Sequence, residues 1–282
     1  MRIRMMTDLH YALHADPVGD SYYKEYLKRF FGDGPAADRY VSLGDLTQNG
    51  TEREYRAAFE TIDSLGRRDA FLHIPGNHDL LEADCRQTEQ WGSTPPVSEG
   101  FGAVETESTT LLFLNSCQVR KPLDWGGRLD GARLQLLGSK LAEANGKPVL
   151  VFAHHPLPDT TALSDRPMMR VEEAAALTEL MNEATGPCFW FNGHNHIQSI
   201  VRKAAWTCVQ TASALCLPCY REVIVSDDAV KVTTTILNDP ALEELAERSL
   251  DGFPSFHRVP PAKAAGSAQD QSIEVRFGPR NV

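Results

Sequence analysis

No stretch of these 282 residues stays apolar for 18 positions, so a membrane-crossing helix is not expected. Residues 1–6 are interrupted too soon, by Asp8 and His10, to act as a secretory signal, and a cytoplasmic location is expected. Cationic clusters are missing as well. Lys and Arg total 28 against 38 Asp and Glu, a formal charge of −10, which argues against nucleic-acid polymers and membrane surfaces as partners. Nor is there a disulfide framework: the six cysteines (Cys85, Cys117, Cys188, Cys208, Cys216, Cys219) sit mostly in apolar runs, as reduced core thiols do. Cys216-x-x-Cys219 lacks the second ligand pair that a structural zinc site needs. Internal repeats and a clear interdomain linker are also absent.

What the chain has instead is alternation. Apolar runs at 2–6, 39–43, 71–74, 109–114, 148–153 and 189–191 read as strands, and patterned segments at 22–31, 51–65, 132–144 and 171–181 read as helices. Thr51 with Glu54 three residues on resembles a capping box. Residues 80–102 lack periodicity and are expected to wander over the surface; 116–131 and 157–170 read as loops. Strands at 207–212, 222–225 and 230–237 look antiparallel and are expected to build a second sheet packed on the first. The fold class that follows is α/β, a layered sandwich of two mixed β-sheets flanked by helices. Residues 1–237 are expected to be one domain, and 238–282 a C-terminal tail, partly ordered, serving as an edge strand or an oligomer contact.

The polar residues at the strand ends are of one chemical kind. Asp8 and His10 follow the first strand, Asp45 the second, Asn77 and His78 the third, His154 the run at 148–153, and His194 and His196 the run at 189–191. Each alone is an ordinary cap or turn residue. Imidazole with carboxylate is, however, the ligand set of borderline divalent metals. Two such ions would bring four positive charges against only Asp8 and Asp45 as anionic ligands, leaving a positive centre suited to an anionic substrate. A two-metal site clamps the attacking and leaving oxygens of an in-line displacement at phosphorus, so phosphate-ester hydrolysis is the chemistry these residue types favour.

Asp8-x-His10, Gly44-Asp45, Gly76-Asn77-His78-Asp79, His154 and Gly193-His194-x-His196, in that order, resemble the signature of the calcineurin-like metallophosphoesterases. The His154-His155-Pro156 variant and the spacing are most similar to the cyclic-nucleotide and glycerophosphodiester phosphodiesterase branch. The resemblance covers residues 1–237. It implies that Asp8, His10, Asp45 and His196 hold one ion and that Asp45, Asn77, His154 and His194 hold the other, with Asp45 bridging. It further implies that a metal-bridging hydroxide attacks phosphorus and that His78 stabilises charge or protonates the leaving oxygen. Asp79 would then fix the tautomer of His78. The implied cofactors are two divalent or trivalent ions, Fe and Mn before Zn.

The remaining candidates lie around this set. His155 and His14 are expected near the substrate, His73 inside a strand and His257 in the tail; Arg128, Arg166 and Arg170 lie in loops that follow strand ends. The expected activity is hydrolysis of a small soluble phosphodiester, of cyclic-nucleotide or glycerophosphodiester type. A phosphomonoesterase on the same scaffold is the alternative, and a catalytically silent binding scaffold a remoter one. The expected partner is a small-molecule phosphoester, and a homo-oligomer is compatible with the tail.

Overall fold

The structure, a computed structural model, describes residues 1–13, 17–118, 123–253 and 256–278. Within them, strand β1 (Arg2–Met6) leads through helix α1 (Pro17–Gly32) to β2 (Arg39–Ser42), and α2 (Glu52–Ser64) leads to β3 (Phe71–His73). Helix α3 (Cys85–Gly92), β4 (Phe101–Glu105), β5 (Thr110–Leu114), α4 (Gly131–Glu143), β6 (Val149–Ala153), α5 (Ala174–Glu183) and β7 (Cys188–Asn192) follow. The chain closes with β8 (Ser199–Lys203), β9 (Trp206–Gln210), β10 (Cys219–Val225), β11 (Ala229–Ile236), α6 (Pro240–Asp251), the short α7 (Pro261–Ala264) and β12 (Ser272–Arg276).

These strands form two six-stranded sheets, in the orders β12-β11-β10-β1-β2-β3 and β4-β5-β6-β7-β9-β8. Both are mixed: β1, β2 and β3 run parallel, as do β5, β6, β7 and β9, while the outer strands are antiparallel. The two-sheet sandwich agrees with the sequence, but the last third does not make a sheet of its own. Strands β8 and β9 complete one sheet and β10–β12 the other, because β1, the first strand of the chain, is central and pairs on its open side with β10. Residues 272–276 are an edge strand, paired with β11.

Period-two alternation explains the layers. In β1, Ile3 and Met5 enter the inter-sheet core with Val41, Phe113, Phe152 and Val223, while Met6 joins the outer layer. In β7, Phe189 and Phe191 face that core, and Trp190 faces the second sheet's helices with Leu137 of α4 and Leu177 of α5. Helices α1, α2 and α6 cover the first sheet through Tyr26, Phe30, Phe59 and Leu242. Arg4, buried on that face, is paired in register with Glu222 of β10 and forms an ion pair at 2.9 Å, which compensates its desolvation.

The capping box at Thr51 and Glu54 is present at the start of α2. Residues 80–102 are more regular than their pattern suggests. Asp84 caps α3 and Gln87 returns the bond, a second capping box of the Asp-x-x-Gln kind. Strands β4 and β8 are edge strands whose Gly102, Arg202 and Lys203 blur the apolar alternation.

Candidate metal centre

The parallel strands of both sheets deliver their carboxyl ends to one rim, and each end supplies polar side chains. Asp8, His10, Asp45, His194 and His196 all have left-handed backbone, with φ of 51°, 50°, 49°, 72° and 59°. For non-glycine residues this conformation costs on the order of 1–3 kcal/mol each and persists only where the surroundings impose it. Here the imposition is a mesh of backbone bonds: Asp8 and His10 donate their amides to the carbonyls of Gly44 and Asp45, and the His194 amide donates to Asp8 Oδ2. Space matters as much as conformation. A Cβ on Gly76 would stand 2.1 Å from Asp45 Oδ1, and one on Gly193 would stand 1.9 Å from Thr7 Oγ1. The φ of Gly76 is not positive, so it serves close approach to Asp45 rather than a special turn.

Backbone carbonyls dictate the imidazole tautomers, because a carbonyl can only accept. His154 Nδ1 faces Leu43 O at 2.9 Å, His194 Nε2 faces Met168 O at 2.9 Å, and His196 Nδ1 faces His257 O at 2.8 Å. Each of those nitrogens carries a proton, which turns the other ring nitrogen inward, free to hold a metal once any proton on it has left. The inward nitrogens then meet one another and the carboxylates. His154 Nε2 lies 3.1 Å from Asn77 Oδ1, 3.2 Å from His194 Nδ1 and 3.4 Å from Asp45 Oδ2. His196 Nε2 lies 3.3 Å from Asp8 Oδ1, and His10 Nε2 lies 3.9 Å from both Asp8 and Asp45. Asp8 Oδ1 and both ring nitrogens of His10 are buried with no hydrogen-bond partner. A buried cluster of carboxylates and inward-turned imidazole nitrogens is costly unless protons or metal cations sit among them, and this set of ligand atoms fits divalent metals.

The electrostatics carry the same message. Burial alone pushes His154 down, yet the Asp45 carboxylate outweighs it and raises the ring to about 9. His196 is likewise raised, its burial overcome by Asp8. Asp8 is driven the other way: burial raises it, but His196 prevails and lowers it to about 2. His10 and His194 fall to about 3, through burial first and then through the neighbouring rings of His78 and His154 respectively. Protons on His154 and His196 thus offset the charge of Asp45 and Asp8.

The sequence model of the calcineurin-like phosphoesterase family matches residues 1–198. The chain belongs to that family. Over 164 residues it is 32% identical to the glycerophosphodiester phosphodiesterase GpdQ of Enterobacter lignolyticus, a match covering 56% of each chain. It is 34% identical over 122 residues to a probable glycerophosphodiester phosphodiesterase GpdQ of Arcobacter nitrofigilis, covering 43% of each. The chain thus spans about half the length of the curated relatives it matches. The fold is shared with a dimetal phosphatase from Danio rerio, at a TM-score of 0.60 and 13% identity, over 83% of this chain and 95% of that one.

In this calcineurin-like phosphoesterase the seven residues proposed as ligands, Asp8, His10, Asp45, Asn77, His154, His194 and His196, converge on one rim. His78 is beside them: its ring lies 4.7 Å from that of His10, and it lines a cavity of about 540 Å³ together with Asp45, Asn77, His194 and His196.

Two expectations need correcting. Asp79 does not touch the His78 ring. Its fully buried carboxylate accepts from the amides of Leu46, Thr47 and Gly76 and from Thr47 Oγ1, tying the second strand's loop to the third's. The His78 Nδ1 instead faces Gln48 O at 2.7 Å. The turn geometry aims Asp79 backward into the loop, so a peptide carbonyl takes the orienting role. His155, expected near the substrate, is buried with both ring nitrogens engaged, Nδ1 by Ser116 Oγ and Nε2 by Trp125 O, each at 2.9 Å, and it does not line the cavity. Its neighbours explain this: the strand β6 pleat sends His154 to the rim and His155 behind it. His14 lies outside the described residues.

Of the loop arginines, Arg166 lines the cavity, whereas Arg128 pairs with Glu173 and Arg170 with Asp159 and Glu172. His73 is buried in β3, bonded to Ser42 and Tyr55. Sequence reasoning missed the tail's contribution. Phe256 stacks on His196 with centroids 5.1 Å apart and meets His10 edge-on at 4.7 Å, and both Phe256 and His257 line the cavity. The one available signal was an aromatic beside a histidine in an otherwise Pro-rich, polar segment.

Proposed function

We propose that this chain is a dinuclear metal-dependent phosphodiesterase acting on a small phosphodiester. The observation that carries the reading is the convergence of the buried carboxylates and imidazoles of Asp8, His10, Asp45, His154, His194 and His196, with Asp8 Oδ1 and both ring nitrogens of His10 left without a hydrogen-bond partner. The two relatives named as glycerophosphodiester phosphodiesterases favour a diester over a monoester. Asp8, His10, Asp45 and His196 would hold one ion and Asp45, Asn77, His154 and His194 the other; Fe, Mn and Zn all suit such imidazole and carboxylate ligands. When bound, the ions supply an acidified water and neutralise charge on the ester oxygens.

The chain's own residues do the rest. The peptide carbonyls of Leu43, Met168 and His257 hold three rings with their lone pairs inward. Asn77 contributes an oxygen without charge, so the centre keeps its attraction for an anion. His78, its Nδ1–H committed to Gln48 O, keeps Nε2 for the proton that the leaving oxygen needs. Residues 1–237 carry every proposed ligand in this reading, and 238–282 add the His257 carbonyl and Phe256 to the site. Six free cysteines fit a reducing, cytoplasmic setting.

The test is a comparison of bis(p-nitrophenyl) phosphate with p-nitrophenyl phosphate, using protein loaded separately with Mn, Fe or Zn and assayed for metal content. Faster turnover of the diester, dependent on about two ions per chain, is expected. Preference for the monoester would establish the phosphomonoesterase alternative, and no metal uptake with no turnover would leave a silent scaffold.

A further inference from the structure

The cavity that opens from the metal centre has two unlike halves. One is the polar floor already described. The other is apolar: Leu80, Leu81, Leu163 and Met169 line it, with Phe256 from the tail and Leu123 and Trp125 from the loop before α4.

Of the polar side chains beside this wall, Gln118 and Asp124 bond within their own loop, and a third, His257, comes from the tail. Gln118 donates from Nε2 to Gly126 O at 2.9 Å and accepts from Arg128 Nε at 3.1 Å. Asp124 accepts from the Gly126 amide at 3.3 Å and lies 3.9 Å from Arg128. Both therefore serve the loop. Arg166 is the remaining cation in the lining, and it offers donors only.

Trp125 is the informative residue. Its carbonyl is fixed by His155 Nε2 at 2.9 Å, and the loop after it is fixed by Gly127 N to Arg170 O at 2.9 Å and Arg128 N to Ser116 O at 2.8 Å. A rigid backbone thus holds an indole that stays 43% exposed, beside Leu123 at 86%. Two of the three large exposed hydrophobics among the described residues stand at this one mouth. Rigidly presented apolar surface at the entrance of a cavity is surface prepared for a ligand.

We infer that the second ester group of the substrate is apolar, an aryl or alkyl group seated against Trp125, and not a polyol. This rests on the phosphodiesterase reading. A glyceryl group would bring two hydroxyls to a wall that is mostly hydrocarbon, where few partners replace their bonds to water. An alkyl or aryl group would lose nothing there and would cover the indole.

The test holds the leaving group constant. Methyl, benzyl and glyceryl p-nitrophenyl phosphates are compared on the full chain loaded with Mn. The benzyl ester should exceed the glyceryl ester in kcat/KM by about tenfold or more, the scale of one well-placed apolar contact. Trp125→Ala should bring that ratio close to one, and Trp125→Phe should retain most of it. Calorimetry gives a readout free of turnover: dibenzyl phosphate should bind about tenfold tighter than dimethyl phosphate, and Trp125→Ala should abolish the difference. Turnover of all three esters with glyceryl equal or preferred, or a ratio unmoved by Trp125→Ala, overturns this inference and leaves the phosphodiesterase reading standing. Absence of turnover for every diester overturns both.

Discussion

His196 donates from Nδ1 to the carbonyl oxygen of His257, 2.8 Å away and 61 positions further along the chain. A ring facing Asp8 is therefore oriented by the segment that lies beyond the family match, and Phe256 stacks on the same ring. Partners behind a ligand typically govern 10–100-fold in metal affinity. Phe256→Ala should weaken one of the two ions by about tenfold and leave the other unchanged. Calorimetric metal titration of both proteins checks this, and two unaltered dissociation constants would refute the tail's role.

Asp79 should behave as a structural residue. Its carboxylate is the shared acceptor for three amides and one hydroxyl, so Asp79→Asn turns an acceptor into a donor against buried donors. The expected loss is about 3 kcal/mol, the scale of hydrogen bonds to a buried charge together with an unsatisfied group. Urea unfolding measures it. Unchanged stability with a shifted pH–rate profile would instead mean that Asp79 acts on His78.

Asp45 and His78 should separate metal binding from rate. Asp45 lies between the two proposed ion positions, so Asp45→Ala should remove most bound metal and nearly all activity. His78→Ala should keep the metal and lose about 10²–10⁴-fold in kcat, the range for a lost general acid. Metal analysis beside steady-state kinetics reads both quantities, and loss of both ions from the His78 variant would contradict its assigned role.

Metal addition should stabilise the fold, and more so as pH rises. In the metal-free chain His154 is held up at about 9 by Asp45, so below that pH an ion must displace a proton to bind. The sign follows: lowering the pH from 8 to 6 weakens apparent affinity and shrinks the gain in Tm. At one hundred times Kd each ion contributes about 2.7 kcal/mol, or a rise in Tm of about 5–10 °C for a chain of this size. Thermal melts at three pH values, with a chelator control, test this; a gain that grows on acidification would be incompatible with it.

The rim was legible because its residues announce themselves locally. Asp8, Asp45, Asn77, His154 and His194 each end an apolar run, and parallel strands must end on one side. Their tautomers were not legible, because Leu43, Met168 and His257 contribute only carbonyls, which every residue has. The roles of Asp79 and His155 were misread for a related reason: sequence places them beside the right neighbours, while backbone direction turns them away. The sharing of the last strands between both sheets was hidden too, since the pairing of Arg4 with Glu222 spans 218 positions and leaves no local trace. Helix α3 was within reach, through Asp84 and Gln87.

The five left-handed residues at the rim give this chain a built-in tension between durability and chemistry. Glycine would relax the backbone at Asp8, His10, Asp45, His194 or His196, and every such replacement would delete a proposed ligand. A descendant released from catalysis would thus have an easy route to a more robust fold, through the positions that make the present one useful. Heat tolerance gained at these sites would be a sign of lost function.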